Sequence, residues 1–262
     1  MSIWAGRSVG RRWLLVQTGR GAVGIAVMGV AAACSDSGST SAGTSDPAED
    51  ETSSTASTPA DSGPADAASG MAWSRVNLGF VSAYVLVRGN EAAVVDTGVG
   101  GSADAIGQVL DQAGPGWGGV RHVVLTHKHP DHAGSISDVL DEATSATGYI
   151  GEADRSEVDA PLSVLADGDD VFGLQVLATP GHTAGHLSVF DEATGVLVAG
   201  DALTNEGGLA GSNPQFTEDE AAAAASVLKM AKLAPKTILV GHGDPVVDGA
   251  AAELEQLASS LS

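Results

Sequence analysis

The chain has 262 residues, 33 of them acidic and 12 basic, and a formal net charge of −21 at neutral pH. That balance argues against nucleic acid as a partner, because phosphate contacts need clustered Lys and Arg, and against a polybasic membrane contact. A single cysteine, Cys34, excludes an intramolecular disulfide.

In chain order, residues 1–34 carry Arg7, Arg11, Arg12 and Arg20 and no acid, and lead into the apolar run Gly21 to Ala33. This is a signal-peptide pattern, and the run is shorter than the roughly 20 residues that span a bilayer. Gly10-Arg11-Arg12-Trp13-Leu14-Leu15 resembles a twin-arginine export signal, with the general export route as the alternative. Ala31-Ala32-Ala33-Cys34 resembles a lipoprotein cleavage box, which makes Cys34 the expected lipidated residue of an exported, outward-facing membrane lipoprotein; the alternative is plain secretion. Ser35 to Gly70 contains no aromatic residue, Lys or Arg, so it is expected to be a disordered tether reaching about 30 Å. The only membrane contact expected is the lipid.

Residues 71–262 suit one domain with a substantial core. Strands are expected at Val81 to Val87, Ala92 to Val95, Val120 to Leu125, Val171 to Ala178, Leu187 to Phe190, Val196 to Ala199 and Thr237 to Val240. Ala103 to Gln112 reads as a helix. Thr217-Glu218-Asp219-Glu220 has the form of a capping box opening an Ala-rich helix through Leu233, and Asp248 is positioned to cap a final helix to Leu261. Strands interleaved with helices in two halves predict an α/β sandwich whose edge loops carry the chemistry.

The chemistry concentrates in Thr126-His127-Lys128-His129-Pro130-Asp131-His132, where a buried strand ends. Imidazoles and a carboxylate at this density point to a metal. Pro130 disfavours helix at His129, so His127 and His129 stay extended and face one ion, while Asp131 and His132 turn toward a neighbouring position. His182, Asp201 and His242 complete the candidate ligands, the last two just beyond apolar runs. Two close cations need anions between them; Asp131 and Asp201 supply two, and the site can then activate a water and polarise a carbonyl or phosphoryl oxygen. The reaction class is metal-assisted hydrolysis. His122 reads as structural, His186 as structural or supporting a ligand, and Asp96 either as a turn cap with Gly98 or as a brace for the metal loop.

These residues resemble the metallo-β-lactamase-fold hydrolases. His127 to His132 stands as the family's His-x-His-x-Asp-His motif, with Thr179-Pro180-Gly181-His182, Gly200-Asp201, Gly241-His242-Gly243 and Val94-Val95-Asp96-Thr97-Gly98 in the family's order. The resemblance implies an αββα four-layer sandwich, one metal on His127, His129 and His182, a second on Asp131, His132 and His242, and Asp201 bridging. It implies two divalent ions, zinc first among them, with Asp131 also the catalytic residue that orients a hydroxide.

Gly200-Asp201 resembles the thioesterase, lactonase and glyoxalase II-like branch more than the β-lactamases, which generally lack the bridging aspartate. The chain ends too soon after His242 for the helical domain with which glyoxalase II-like enzymes grip glutathione. Asp201-Ala202-Leu203 lacks the tyrosine of many acyl-homoserine-lactone hydrolases, and His129 replaces the glutamate of the flavodiiron branch. The expectation is hydrolysis of an ester, thioester or lactone in a small molecule. The alternatives are a mononuclear iron persulfide dioxygenase, a β-lactamase or a non-catalytic metal-binding domain. Gly79-Phe80-Val81 and Asn205 to Phe216 are the candidate substrate-facing loops.

Overall fold

The computed structural model describes residues 70–261. The export signal, Cys34 and the tether lie outside the described residues.

Two sheets carry the fold. The first contains β1 (Ala72–Asn77), β2 (Ser82–Arg88), β3 (Glu91–Val95), β4 (Val120–Val124), β5 (Thr147–Gly151) and β6 (Leu162–Leu165) in sequential order. Its first three strands pair antiparallel and its last four parallel, and α1 (Ala103–Ala113), α2 (Gly116–Gly119), α3 (Pro130–Ala133) and α4 (Ile136–Glu142) fall in the connections. The second sheet contains β7 (Asp170–Val171), β8 (Leu174–Ala178), β9 (Leu187–Asp191), β10 (Val196–Gly200) and, after a ribbon of β11 (Leu203–Thr204) and β12 (Ala210–Gly211) and helix α5 (Glu220–Ala231), β13 (Thr237–Val240). Its order is β13-β10-β9-β8-β7, and α6 (Ala250–Ser260) closes the chain.

The four layers follow from side-chain alternation. On β2, Ala83 and Val85 face Ile106 and Leu110 of α1, while Tyr84 and Leu86 face the other sheet. On β10, Val196 and Val198 meet that same inter-sheet core, while Leu197 and Ala199 pack against Val227 and Met230 of α5 and Leu254 of α6. Three apolar cores therefore separate helices, sheet, sheet and helices, which is the αββα sandwich expected. Among the described residues no helix is long and apolar enough to cross a membrane.

Three local expectations need correction. Val171 to Ala178 is not one strand: Phe172 and Gly173 both take positive φ, 60° and 74°, and turn β7 into β8. The cap of α5 is Asp219, whose Oδ1 accepts from the Ala222 N–H at 2.9 Å; Thr217 is two residues too early and donates instead to the Asn213 carbonyl. Asp248 does not cap α6, which opens at Gly249 in the left-handed conformation, φ 70°, without a side-chain cap.

Candidate metal centre

The loops after β3, β4, β8, β10 and β13 meet at one edge of the sandwich. Buried strands hold their ends in place, and polar side chains gather where the ladders stop. Pro130 acts as expected: His129 is extended, with φ −62° and ψ 145°, and the chain then turns helically through Asp131 and His132.

All seven candidate ligands come together, in groups whose ligand atoms lie within 4.8 Å of one another: His127 with His129 and His182, Asp131 with His132 and His242, and His127 with His132 and Asp201. In the first group, His129 Nδ1 is 3.0 Å from His127 Nε2 and 2.9 Å from His182 Nε2. In the second, His242 Nε2 is 3.3 Å from Asp131 Oδ2 and 3.5 Å from His132 Nε2. Donors at zinc–nitrogen distances on one tetrahedral ion sit about 3.3 Å apart, so both spacings suit a shared cation. Asp201 reaches both groups: its Oδ2 lies 3.4 Å from His182 Nε2 and 3.2 Å from His242 Nε2. Its buried Oδ1 makes no hydrogen bond of good geometry and faces His132 Nε2 at 3.2 Å, two donor atoms that one cation would satisfy together.

Outer hydrogen bonds aim the ring nitrogens inward. The Thr126 hydroxyl donates to the Asp96 carboxylate and so receives the Nδ1–H of His127 at 3.0 Å. His132 Nδ1 donates to Asp96 Oδ2 at 2.8 Å, and His242 Nδ1 to the Phe80 carbonyl at 2.7 Å. His182 Nδ1 donates to Ser212 Oγ, which Thr217 then orients at 2.7 Å, so the residue read as a helix cap steadies His182. Each bond occupies Nδ1 and turns Nε2 toward the centre. Asp96 braces the metal loop: buried at φ 62°, it also accepts the Thr126 N–H at 2.7 Å. Strain of this kind persists where surrounding contacts over-determine it.

The electrostatics are those of a site that balances cationic charge with carboxylates. Burial holds His127 well below the ordinary imidazole range and takes His182 down to about 4. Burial opposes charge on His132 too, but Asp201 and Asp96 outweigh it and raise its pKa well above the ordinary value. Hydrogen bonds to Asp131 and Asp201 push His242 up to about 10. Burial alone would raise Asp201, yet His132 and His242 hold it well below the usual carboxylate range.

His186 supports Asp201: burial lowers its pKa to about 3, and its neutral Nε2 accepts the Asp201 N–H at 3.1 Å. His122 lies apart, its ring beside Tyr149 and Phe172, consistent with a structural role. Two supporting residues escaped the sequence reading. Buried Asp154 accepts from the Lys128 N–H, the Thr183 hydroxyl and the Gly185 N–H, tying the loops of His129 and His182 together. Arg75 pins the His242 loop through the Gly243 carbonyl and Asp244. Asp154 sits in a charged stretch and Arg75 is a lone cation between Ser74 and Val76, so neither pattern carries a signal for chemistry.

Gly241 gives a direct test of the close packing. A Cβ there would lie 2.6 Å from His132 Cε1 and closer still to Asp201 Oδ1. Gly241→Ala displaces two ligands from one side, and the expected result is a loss of metal affinity on the order of 10–100-fold, read by competition with a chromogenic chelator. Wild-type affinity would mean that neither side chain needs its present position.

Comparison with known proteins identifies the family. The family model described as Metallo-beta-lactamase superfamily matches residues 76–242. The chain is 30% identical over 196 residues to Uncharacterized protein YobT of Bacillus subtilis (strain 168), covering 62% of this chain and 83% of that one. It is 30% identical over 217 residues to Probable metallo-hydrolase YflN of the same organism, covering 64% and 82%. The crystal structure of a metallo-beta-lactamase family protein from Thermus thermophilus superposes with a TM-score of 0.55 at 26% identity, over 69% of this chain and 74% of that one. The chain belongs to the metallo-beta-lactamase superfamily and is a metal-dependent hydrolase.

Proposed function

We propose that the chain is a binuclear hydrolase of the thioesterase, lactonase and general-hydrolase branch, cleaving an ester, thioester or lactone in a small molecule. The observation that carries this reading is Asp201, one carboxylate placed within 3.4 Å of ring nitrogens from both ligand groups. His127, His129 and His182 would hold one divalent ion, Asp131, His132 and His242 the other, with Asp201 between them. Zinc suits the imidazole-rich donor set. When bound, the ions supply a water of near-neutral pKa and polarise the carbonyl under attack. Asp131, on the cavity wall with its side chain 27% exposed, orients that water and is the catalytic residue. Asp96, Thr126 and Ser212 keep the imidazoles pre-aimed, so little reorganisation accompanies charge build-up.

The test is elemental analysis of chain purified without added metal or chelator, followed by an ester, thioester and lactone panel. About two zinc ions per chain and turnover on the panel are expected; a single iron with oxygen uptake, or no metal, overturns the reading.

On the sequence alone, residues 1–34 are proposed as an export signal, 35–70 as a tether and 71–262 as the hydrolase domain, with Cys34 lipidated on an outward-facing membrane protein. Fatty-acid label should enter the wild type and vanish in Cys34→Ala; equal labelling would remove Cys34 as the anchor.

A further inference from the structure

The ligands open onto a cavity of about 440 Å³, a size that suits a small molecule. Its walls beyond the ligands have two unusual features. Phe80 and Phe216, on different loops, are 61% and 62% exposed, and both line the cavity. Two large aromatic side chains left in water beside a reaction centre are not serving the core, which is complete without them. Phe80 is also held in place: its carbonyl accepts from His242, and its ring stacks on that imidazole at 6.1 Å between centroids, 17° between planes. The second feature is charge. Apart from Asp131 and Asp201, the cavity wall carries one more acid, the exposed Glu206, and no Lys or Arg is among its lining residues.

The cations next to the ligand loops are already engaged. Lys128, between His127 and His129, pairs with Glu157 at 2.6 Å and Glu218 at 2.9 Å, and its side chain is 14% exposed. Arg75 is committed to Asp244 and the Gly243 carbonyl. A carboxylate on the substrate would therefore meet Glu206 and find no side-chain cation to anchor it, whereas an uncharged apolar group would lose water against two rings.

From this cavity we infer that the substrate presents an uncharged, apolar or aromatic group to Phe80 and Phe216, and that Glu206 selects against substrates bearing a carboxylate there. This deepens the metallohydrolase reading and rests on it. The wall thus discriminates by an attractive and a repulsive element together, as specific sites do.

The test uses the full chain loaded with zinc and two pairs of compounds that differ only in a carboxylate. For binding, benzyl mercaptan is compared with 4-(mercaptomethyl)benzoate by titration calorimetry; for turnover, p-nitrophenyl valerate is compared with the mono-p-nitrophenyl ester of glutaric acid. The neutral member of each pair should be favoured on the order of tenfold, the scale of one like-charge contact across a partly solvated cavity. Glu206→Gln, at an exposed position, should narrow both gaps by improving the anionic member. Phe216→Ala should weaken benzyl mercaptan about fivefold and its smaller analogue methyl mercaptan hardly at all. Equal or tighter binding of the carboxylate, or a gap unmoved in Glu206→Gln, overturns the inference. Discrimination in the thiol pair without turnover of either ester would uphold the inference on selectivity while the hydrolase reading fails. Turnover without discrimination would do the reverse.

Discussion

Asp131→Ala is expected to lower kcat on the order of 10³-fold or more while the protein still folds, the scale at which a positioned acid–base group acts. Asp131 contributes little to the core: it sits in the first turn of α3, and its Oδ2 points to His242 Nε2 at 3.3 Å and His132 Nε2 at 3.8 Å. Its hydrogen bond to His242 holds its pKa below the usual carboxylate range, so it is an anion at neutral pH. Removing it takes one donor and one negative charge from the Asp131, His132, His242 group and leaves His127, His129 and His182 untouched. The variant should therefore keep a wild-type circular dichroism spectrum and retain about one metal ion per chain. Asp131→Asn separates the contributions, because an amide keeps much of the shape but supplies neither the charge nor a proton acceptor of comparable strength. Wild-type kcat in Asp131→Ala would remove the residue from the mechanism.

The gathering of the candidate ligands was legible in the sequence because metal chemistry draws on few residue types and crowds them at strand ends. His127, His129, Asp131 and His132 announce themselves by density, and His182, Asp201 and His242 by their place after apolar runs. The residues that aim them were not legible, since their partners are remote in the chain: Asp154 acts on Lys128 and Gly185, and Arg75 on Asp244. Strands showed the same division. The continuous runs β4, β10 and β13 were readable, but β5, Thr-Gly-Tyr-Ile-Gly, offered neither alternation nor β-propensity at its glycines. Gly151 is needed there because the Gly185 carbonyl crosses so close that a side chain would collide with it. Thr217 misled for a related reason: Asp219 and Thr217 both lie within reach of a helix start, and only the three-dimensional path sends Thr217 to Ser212 and thence to His182.

Stripping the metals should lower Tm by about 8–16 °C for a site filled at 1,000 times its Kd, since such binding adds about 4.1 kcal/mol and a domain of this size moves about 2–4 °C per kcal/mol. The protein should remain folded, because its three apolar cores do not depend on the site. What changes is the edge where five imidazoles and two carboxylates face one another. Without metal, the charge on Asp131 and Asp201 is balanced by protons on His132 and His242. The His242 pKa rises from an ordinary 6.5 to about 10, so its protonation stabilises the metal-free fold fully below 6.5 and is lost as pH climbs toward 10. Metal must displace that proton, so its own contribution grows over the same interval. The difference in Tm between loaded and stripped protein should therefore be larger at pH 8.5 than at pH 6.5, measured by differential scanning calorimetry in matched buffers. An identical Tm with and without metal at both pH values would show that these ligands hold no ion.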